Sequence, residues 1–127
     1  MEEAVFWSLS PRPQAVSDSR DRLRSSCAHL PRAVLDDALL LTSELVTNAV
    51  RYGDGEITCR LWPGPDVVRL EVSDANGTLP HEVDRGPVAD SGRGLRIVDT
   101  LASRWGAVPA PRDGGKTVWF EIDTGLG

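Results

Sequence analysis

Glu44 and Asn48 stand four residues apart, a spacing that on an α-helix places both side chains on one face, one turn above the other. The carboxylate can accept a proton, and the carboxamide can offer a neutral oxygen to a hard cation such as magnesium, which takes few protein ligands and keeps much of its water. Such pairs also occur on solvated helix faces with no chemical role, so the weight of this one depends on what joins it. Two further groups follow in order, Asp74-Ala75-Asn76-Gly77-Thr78-Leu79-Pro80 and Gly92-Arg93-Gly94-Leu95. Free amides at a helix start, with glycines that allow close approach, bind phosphate, and Arg93 adds positive charge at the same place. Standing alone, the glycine pair would equally be a turn that begins a helix.

The elements that must carry these groups follow from hydrophobic periodicity. Val34, Ala38, Leu41, Leu45 and Ala49 recur at three- and four-residue steps, with Leu35, Leu39, Val46 and Val50 widening the stripe. This predicts a helix over about residues 32–52, closed by Gly53 and followed by an Asp54-Gly55 turn. Residues 56–62 and 67–73 alternate as two strands of an antiparallel hairpin around Trp62-Pro63-Gly64-Pro65-Asp66. Ile57, Cys59, Leu61, Val68, Leu70 and Val72 share one face, so the helices must lie on that side of the sheet. Asp74 continues the parity of Val68, Leu70 and Val72 and should point into the apolar face, where a carboxylate needs a donor. The alternative is an Asx residue ending a strand before an Asn76-Gly77 turn.

Elsewhere, residues 4–9 read as a short edge strand stopped by Pro11 and Pro13. A helix is expected from Gln14 to Leu30, with Val16, Leu23, Cys27 and Leu30 inward and a basic face of Arg20, Arg22 and Arg24 that reads as a solvated face, with partner docking as the alternative. Residues 80–93 have no apolar period and should form a lid-like loop. A helix from Leu95 to about Ser103 and strands over 104–110 and 116–123 complete the chain.

With 127 residues, 40% of them hydrophobic, residues 1–127 form one domain able to bury a sizeable core. A net charge of −5 argues against nucleic acid, whose phosphates are held by dense basic side chains. No apolar run reaches the roughly 20 residues of a membrane helix and the start, Met1-Glu2-Glu3, is acidic, so no membrane and a cytoplasmic location are expected. Cys27 and Cys59 are neither a disulfide framework nor a metal knuckle and should be buried as small hydrophobes. Gly115-Lys116-Thr117 imitates the tail of a P-loop, but position 110 is alanine and a β-rich run follows. Gly92-Arg93-Gly94 has Ile97 where a dinucleotide fingerprint needs its third glycine. His29, beside Leu30-Pro31, and His81 have neither the helical hairpin of a phosphoacceptor nor, with Ser91 or Ser103, a nucleophile elbow.

The three ordered groups together resemble the GHKL ATP-binding superfamily of gyrase, heat-shock chaperone, mismatch-repair MutL and histidine kinase nucleotide domains. Within it the single-domain anti-sigma-factor serine/threonine kinases are most similar, and the resemblance covers nearly the whole chain. It implies an α/β fold: a two-layer α/β sandwich of the Bergerat type, a mixed sheet with helices on one face. It also implies ATP with Mg2+, Asn48 holding the metal, and Glu44 as the catalytic base. Arg51, Asp74, Asn76, Gly77, Gly92, Arg93, Gly94 and Leu95 would join Asn48 around the nucleotide. Asp74 would accept from the exocyclic amine of adenine and reject the carbonyl of guanine, and Gly77 would give the base room.

The implied acceptor is a serine or threonine of an anti-sigma-factor antagonist, with a sigma factor as the alternative partner. Arg20 is the nearest match to a partner-contacting arginine, and the first strand is a candidate homodimer contact. The sequence departs from the family at Lys116, where threonine is common, leaving Thr117 on the outward parity, and at Tyr52, where these kinases commonly have histidine. Asp90 adds a negative charge beside the glycine pair. A nucleotide-gated binding module without transfer is therefore a second reading. An ATPase driving a mechanical cycle is a third, disfavoured by the lack of a transducer domain in the sequence.

Overall fold

The computed structural model describes residues 4–76, 96–109 and 115–125. Its elements run β1 (Val5–Leu9), α1 (Gln14–Ser26), α2 (Arg32–Tyr52), β2 (Ile57–Trp62), β3 (Val67–Asp74), β4 (Arg104–Pro109) and β5 (Lys116–Asp123), with residues 96–101 helical ahead of β4. The expected lid over 80–93 and the glycine pair at 92–94 lie outside the described residues.

α2 has the bounds its apolar stripe predicts, starting directly after Pro31 and burying Ala38, Leu39, Leu41, Thr42, Leu45, Val46 and Ala49. Thr42 tolerates that burial because its hydroxyl donates to the Ala38 carbonyl at 2.7 Å. α1 is four residues shorter than expected. Cys27 leaves helical geometry at φ −117°, ψ 23°, and the Leu30 amide then bonds the Cys27 carbonyl at 3.0 Å in a turn. The physical reason is Pro31, whose ring disfavours helical backbone at Leu30; the turn still delivers both Cys27 and Leu30 to the core.

The sheet has the order β1-β2-β3-β5-β4. Every strand pair among the described residues is antiparallel, which corrects the expected mixed sheet. β3 and β4 do point the same way, as a crossover through a helix requires, but β5 folds back from β4 and inserts between them. The two-layer α/β arrangement stands. α2 packs on β2, β3 and β5, and α1 packs on α2.

Strand parity holds throughout. Ile57, Cys59, Leu61, Val68, Leu70, Val72, Val118, Phe120 and Ile122 are all buried on one face. Ser19 is buried too, accepting a bond from the Trp7 indole at 3.1 Å, so a polar residue of α1 anchors the edge strand. On the opposite face Arg69 bridges Glu71 at 2.9 Å and Glu121 at 2.8 Å and lies 4.3 Å over the Trp119 ring. Arg104 binds Glu121 and Asp123, holding both carboxyls below their ordinary range.

Candidate functional site

β3 ends on Asp74, and the parity argument is met: the residue is 7% exposed and faces the apolar side. Its donors come from two residues. The Asn76 amide donates to Oδ1 at 2.7 Å, and the Lys116 ammonium lies 3.1 Å from Oδ1 and 3.1 Å from Oδ2. Lys116 also donates to the Asn76 carbonyl at 3.2 Å. The carboxylate is therefore both an Asx-type turn residue and one half of a buried ion pair, a combination that neither sequence alternative contained.

Two glycines make room for it. Gly53 closes α2 in extended geometry, φ −82°, ψ −172°, so the left-handed conformation usual for a helix-ending glycine is not what selects it. A Cβ there would sit 2.9 Å from Asp74 Oδ2 and 2.3 Å from the Ala49 carbonyl oxygen. A Cβ on Gly115 would lie 2.0 Å from the Asp74 carbonyl oxygen. The C-terminal end of α2 and the start of β5 thus close on the aspartate from two sides.

Glu44 and Asn48 are half-buried on α2, one turn apart, about 6 Å along the axis. Asn48 precedes Gly53 by five residues, about 7.5 Å of helix, so the pair leads along α2 toward the end that abuts Asp74. Asn76 is drawn to the same end: its side-chain amide donates to the Tyr52 carbonyl at 2.5 Å, tying the residues after β3 to the last turn of α2. Arg51 is exposed, with its guanidinium 5.2 Å over the Tyr52 ring. The Tyr52 hydroxyl is buried with no hydrogen-bond partner among the described residues. Of the expected site residues, the fold gathers Asp74, Asn76 and Arg51 at the end of α2 that Glu44 and Asn48 approach. Gly77, Gly92, Arg93, Gly94 and Leu95 lie outside the described residues.

Lys116 is the site residue that reading along the chain undervalued. The signal was present, because Lys116 shares the inward parity of Val118, Phe120 and Ile122, and a lone ammonium on an apolar face demands a counter-charge. The sheet register supplies it by pairing Asp74 directly with Lys116. Thr117 faces outward, as expected, and shares a 2.7 Å hydrogen bond with Ser73. Arg20 is half-buried and bonded to the Leu39 carbonyl at 3.1 Å and the Ser43 hydroxyl at 2.7 Å, so its guanidinium braces α1 on α2; Arg22 and Arg24 remain exposed on that helix.

Among the described residues no helix is long and apolar enough to cross a membrane. The fold matches the crystal structure of the RsbU and RsbW domains of Rv1364c from Mycobacterium tuberculosis with a TM-score of 0.70 at 20% identity. That match takes in 96% of this chain but only 32% of the other, so this chain spans about a third of that protein's length. No curated protein matches the sequence. The family model of the histidine kinase-like ATPase domain matches residues 9–122. The buried aspartate, the helix bearing Glu44 and Asn48 and the match over most of the sequence agree: the chain belongs to the histidine kinase-like ATPase domain family.

Proposed function

We propose that this chain binds ATP at the end of α2 and transfers its γ-phosphate to a serine or threonine of a protein partner, an anti-sigma-factor antagonist, with a sigma factor as the alternative binding partner. The observation that carries the reading is the Asp74 carboxylate, buried against Gly53 at the end of the same helix that presents Glu44 and Asn48. In this reading Asp74 receives the base, and Arg51, Asn76, Gly77, Gly92, Arg93, Gly94 and Leu95 serve the rest of the nucleotide. Asn48 offers its amide oxygen to Mg2+. Magnesium takes most of its ligands from phosphate and water, so one protein oxygen suffices to hold it beside the nucleotide.

Glu44 takes the proton of the incoming hydroxyl. Phosphoryl transfer depends mainly on positioning and charge neutralisation, so one base, one metal ligand and a phosphate-binding helix start form a sufficient set. The structural neighbour, which contains an RsbW domain, is compatible with a protein acceptor.

A second reading, a nucleotide-gated binding module that transfers nothing, draws support from Lys116. Its ion pair occupies the acceptor that the base would use, and entry of a nucleotide must rearrange that pair. Incubation of the purified chain with labelled ATP, Mg2+ and a candidate antagonist, followed by phosphoserine and phosphothreonine mapping, separates the two. Labelled antagonist supports the kinase; ATP-dependent co-elution without label supports the module.

A further inference from the structure

We propose that Lys116 is a positioning residue for the purine base. It makes Asp74 favour a 6-amino over a 6-oxo purine by keeping the carboxylate ionised and in place, and it gives the base no hydrogen of its own. The proposal rests on the nucleotide-binding reading above and concerns what gives that site its preference among purines.

The Lys116 ammonium has three N–H groups and three acceptors around it: Asp74 Oδ1 at 3.1 Å, Asp74 Oδ2 at 3.1 Å and the Asn76 carbonyl at 3.2 Å. Its side chain is only 6% exposed, so it has nothing left to donate to a ligand. The two carboxylate oxygens are not used equally. Oδ1 also accepts the Asn76 amide at 2.7 Å, whereas Oδ2 has only the ammonium among the described residues. Oδ2 also faces the end of α2, where a Cβ on Gly53 would lie 2.9 Å away. A carboxylate oxygen has two acceptor sites, so Oδ2 can take one more hydrogen once the pair shifts to admit the base.

Which base edge fits there depends on the charge of the carboxyl group. The Asp74 side chain is 2% exposed, and a carboxylate that deep is driven toward the neutral acid when it has no counter-charge. A neutral acid carries an O–H donor beside its acceptors, so it pairs with a 6-carbonyl as well as with a 6-amine. The ionised group has acceptors only; it takes the amine and repels the carbonyl. Lys116 supplies the counter-charge from β5, in direct register with Asp74 on β3. The lysine thus acts on the base through Asp74, without touching it.

Calorimetric titration of the full chain with ATP and with inosine triphosphate, each with Mg2+, tests this, because inosine carries a 6-carbonyl and no 2-amino group. Wild type should bind inosine triphosphate at least about a hundredfold more weakly than ATP. Lys116→Met removes the charge and every hydrogen bond of the side chain, whereas Lys116→Gln removes the charge and leaves Asp74 a donor. In either variant, with folding at the assay temperature verified by circular dichroism, the gap should narrow by at least about tenfold, the worth of one hydrogen bond. A lysine with a structural role alone would weaken both nucleotides alike. An unchanged ratio in a folded variant would therefore overturn the role of Lys116 and leave the proposed function intact. So would a wild-type gap below that hundredfold, which would reveal a donor free for the carbonyl. Absence of ATP binding by wild type would overturn both. If neither variant folds, the wild-type gap decides.

Discussion

A methyl group placed on Gly53 would lie 2.8 Å from Asp74 Cγ, so the end of α2 and the end of β3 meet at a point where only hydrogen fits. Gly53→Ala has no backbone objection, since φ is −82°. It must instead push the carboxylate or the last helical turn aside, at a cost of about 1 to 3 kcal/mol. Urea unfolding should show that loss, and calorimetry should show weaker nucleotide binding. Gly55→Ala is the control: at φ +68° it costs about 1 kcal/mol in backbone strain while its Cβ stays clear of Asp74.

The ion pair between Asp74 and Lys116 yields a second prediction. Both side chains are buried, so removing one leaves the other without its counter-charge. Asp74→Asn and Lys116→Met should each destabilise by about 3 to 5 kcal/mol, while the combined Asp74→Asn, Lys116→Met variant should lose less than the sum. Urea midpoints across the set check this, and additive losses would mean that the pair is not coupled. A practical consequence is that weak ATP binding by Asp74→Asn counts as recognition of the base only after folding at the assay temperature has been verified.

What could be read from the sequence was whatever repeats locally. The stripe from Val34 to Ala49 gives α2 its bounds, and alternation from Val68 to Val72 fixes the inward turn of Asp74. What could not be read depends on partners distant in the chain. Ser19 is buried because Trp7, twelve residues away, donates to it, and Lys116 is buried because Asp74, forty-two residues away, pairs with it. The insertion of β5 between β3 and β4 is likewise a choice among pairings that local pattern leaves equal. Gly53 was legible as a glycine with a purpose, but its purpose is space and not conformation.

The two thiols supply a pH prediction. Burial pushes Cys27 from 9.0 to about 11 and Cys59 from 9.0 to about 12, the latter opposed by a weaker hydrogen bond from Ser19. A raised pKa means that the folded state holds its protons more tightly than the unfolded one. Their contribution to stability is therefore complete below about pH 9 and is lost as pH rises toward 11 and 12. Native protein at pH 8 should resist iodoacetamide at both positions and react at both once unfolded in urea, as mass spectrometry would record. Thermal midpoints should fall above pH 9, and the Cys27→Ala, Cys59→Ala variant should lose part of that alkaline sensitivity.

Glu44 separates transfer from binding. It is half-buried on α2, one turn before Asn48 and more than two turns before the Gly53 contact with Asp74, so its removal leaves the base end of the site untouched. A positioned general base contributes about 10²- to 10⁴-fold to a proton transfer, and Glu44→Ala should reduce phosphate transfer to an antagonist by that order while ATP affinity changes by less than about threefold. Asn48→Ala should behave differently. By removing the amide oxygen offered to the cation it should weaken ATP binding in Mg2+ while changing binding little in the presence of a chelator. Calorimetry with and without Mg2+, run beside a transfer assay on both variants, distinguishes the roles. Equal loss of binding in the two variants would mean that Glu44 and Asn48 act together on the metal, leaving the acceptor hydroxyl to be deprotonated by another group.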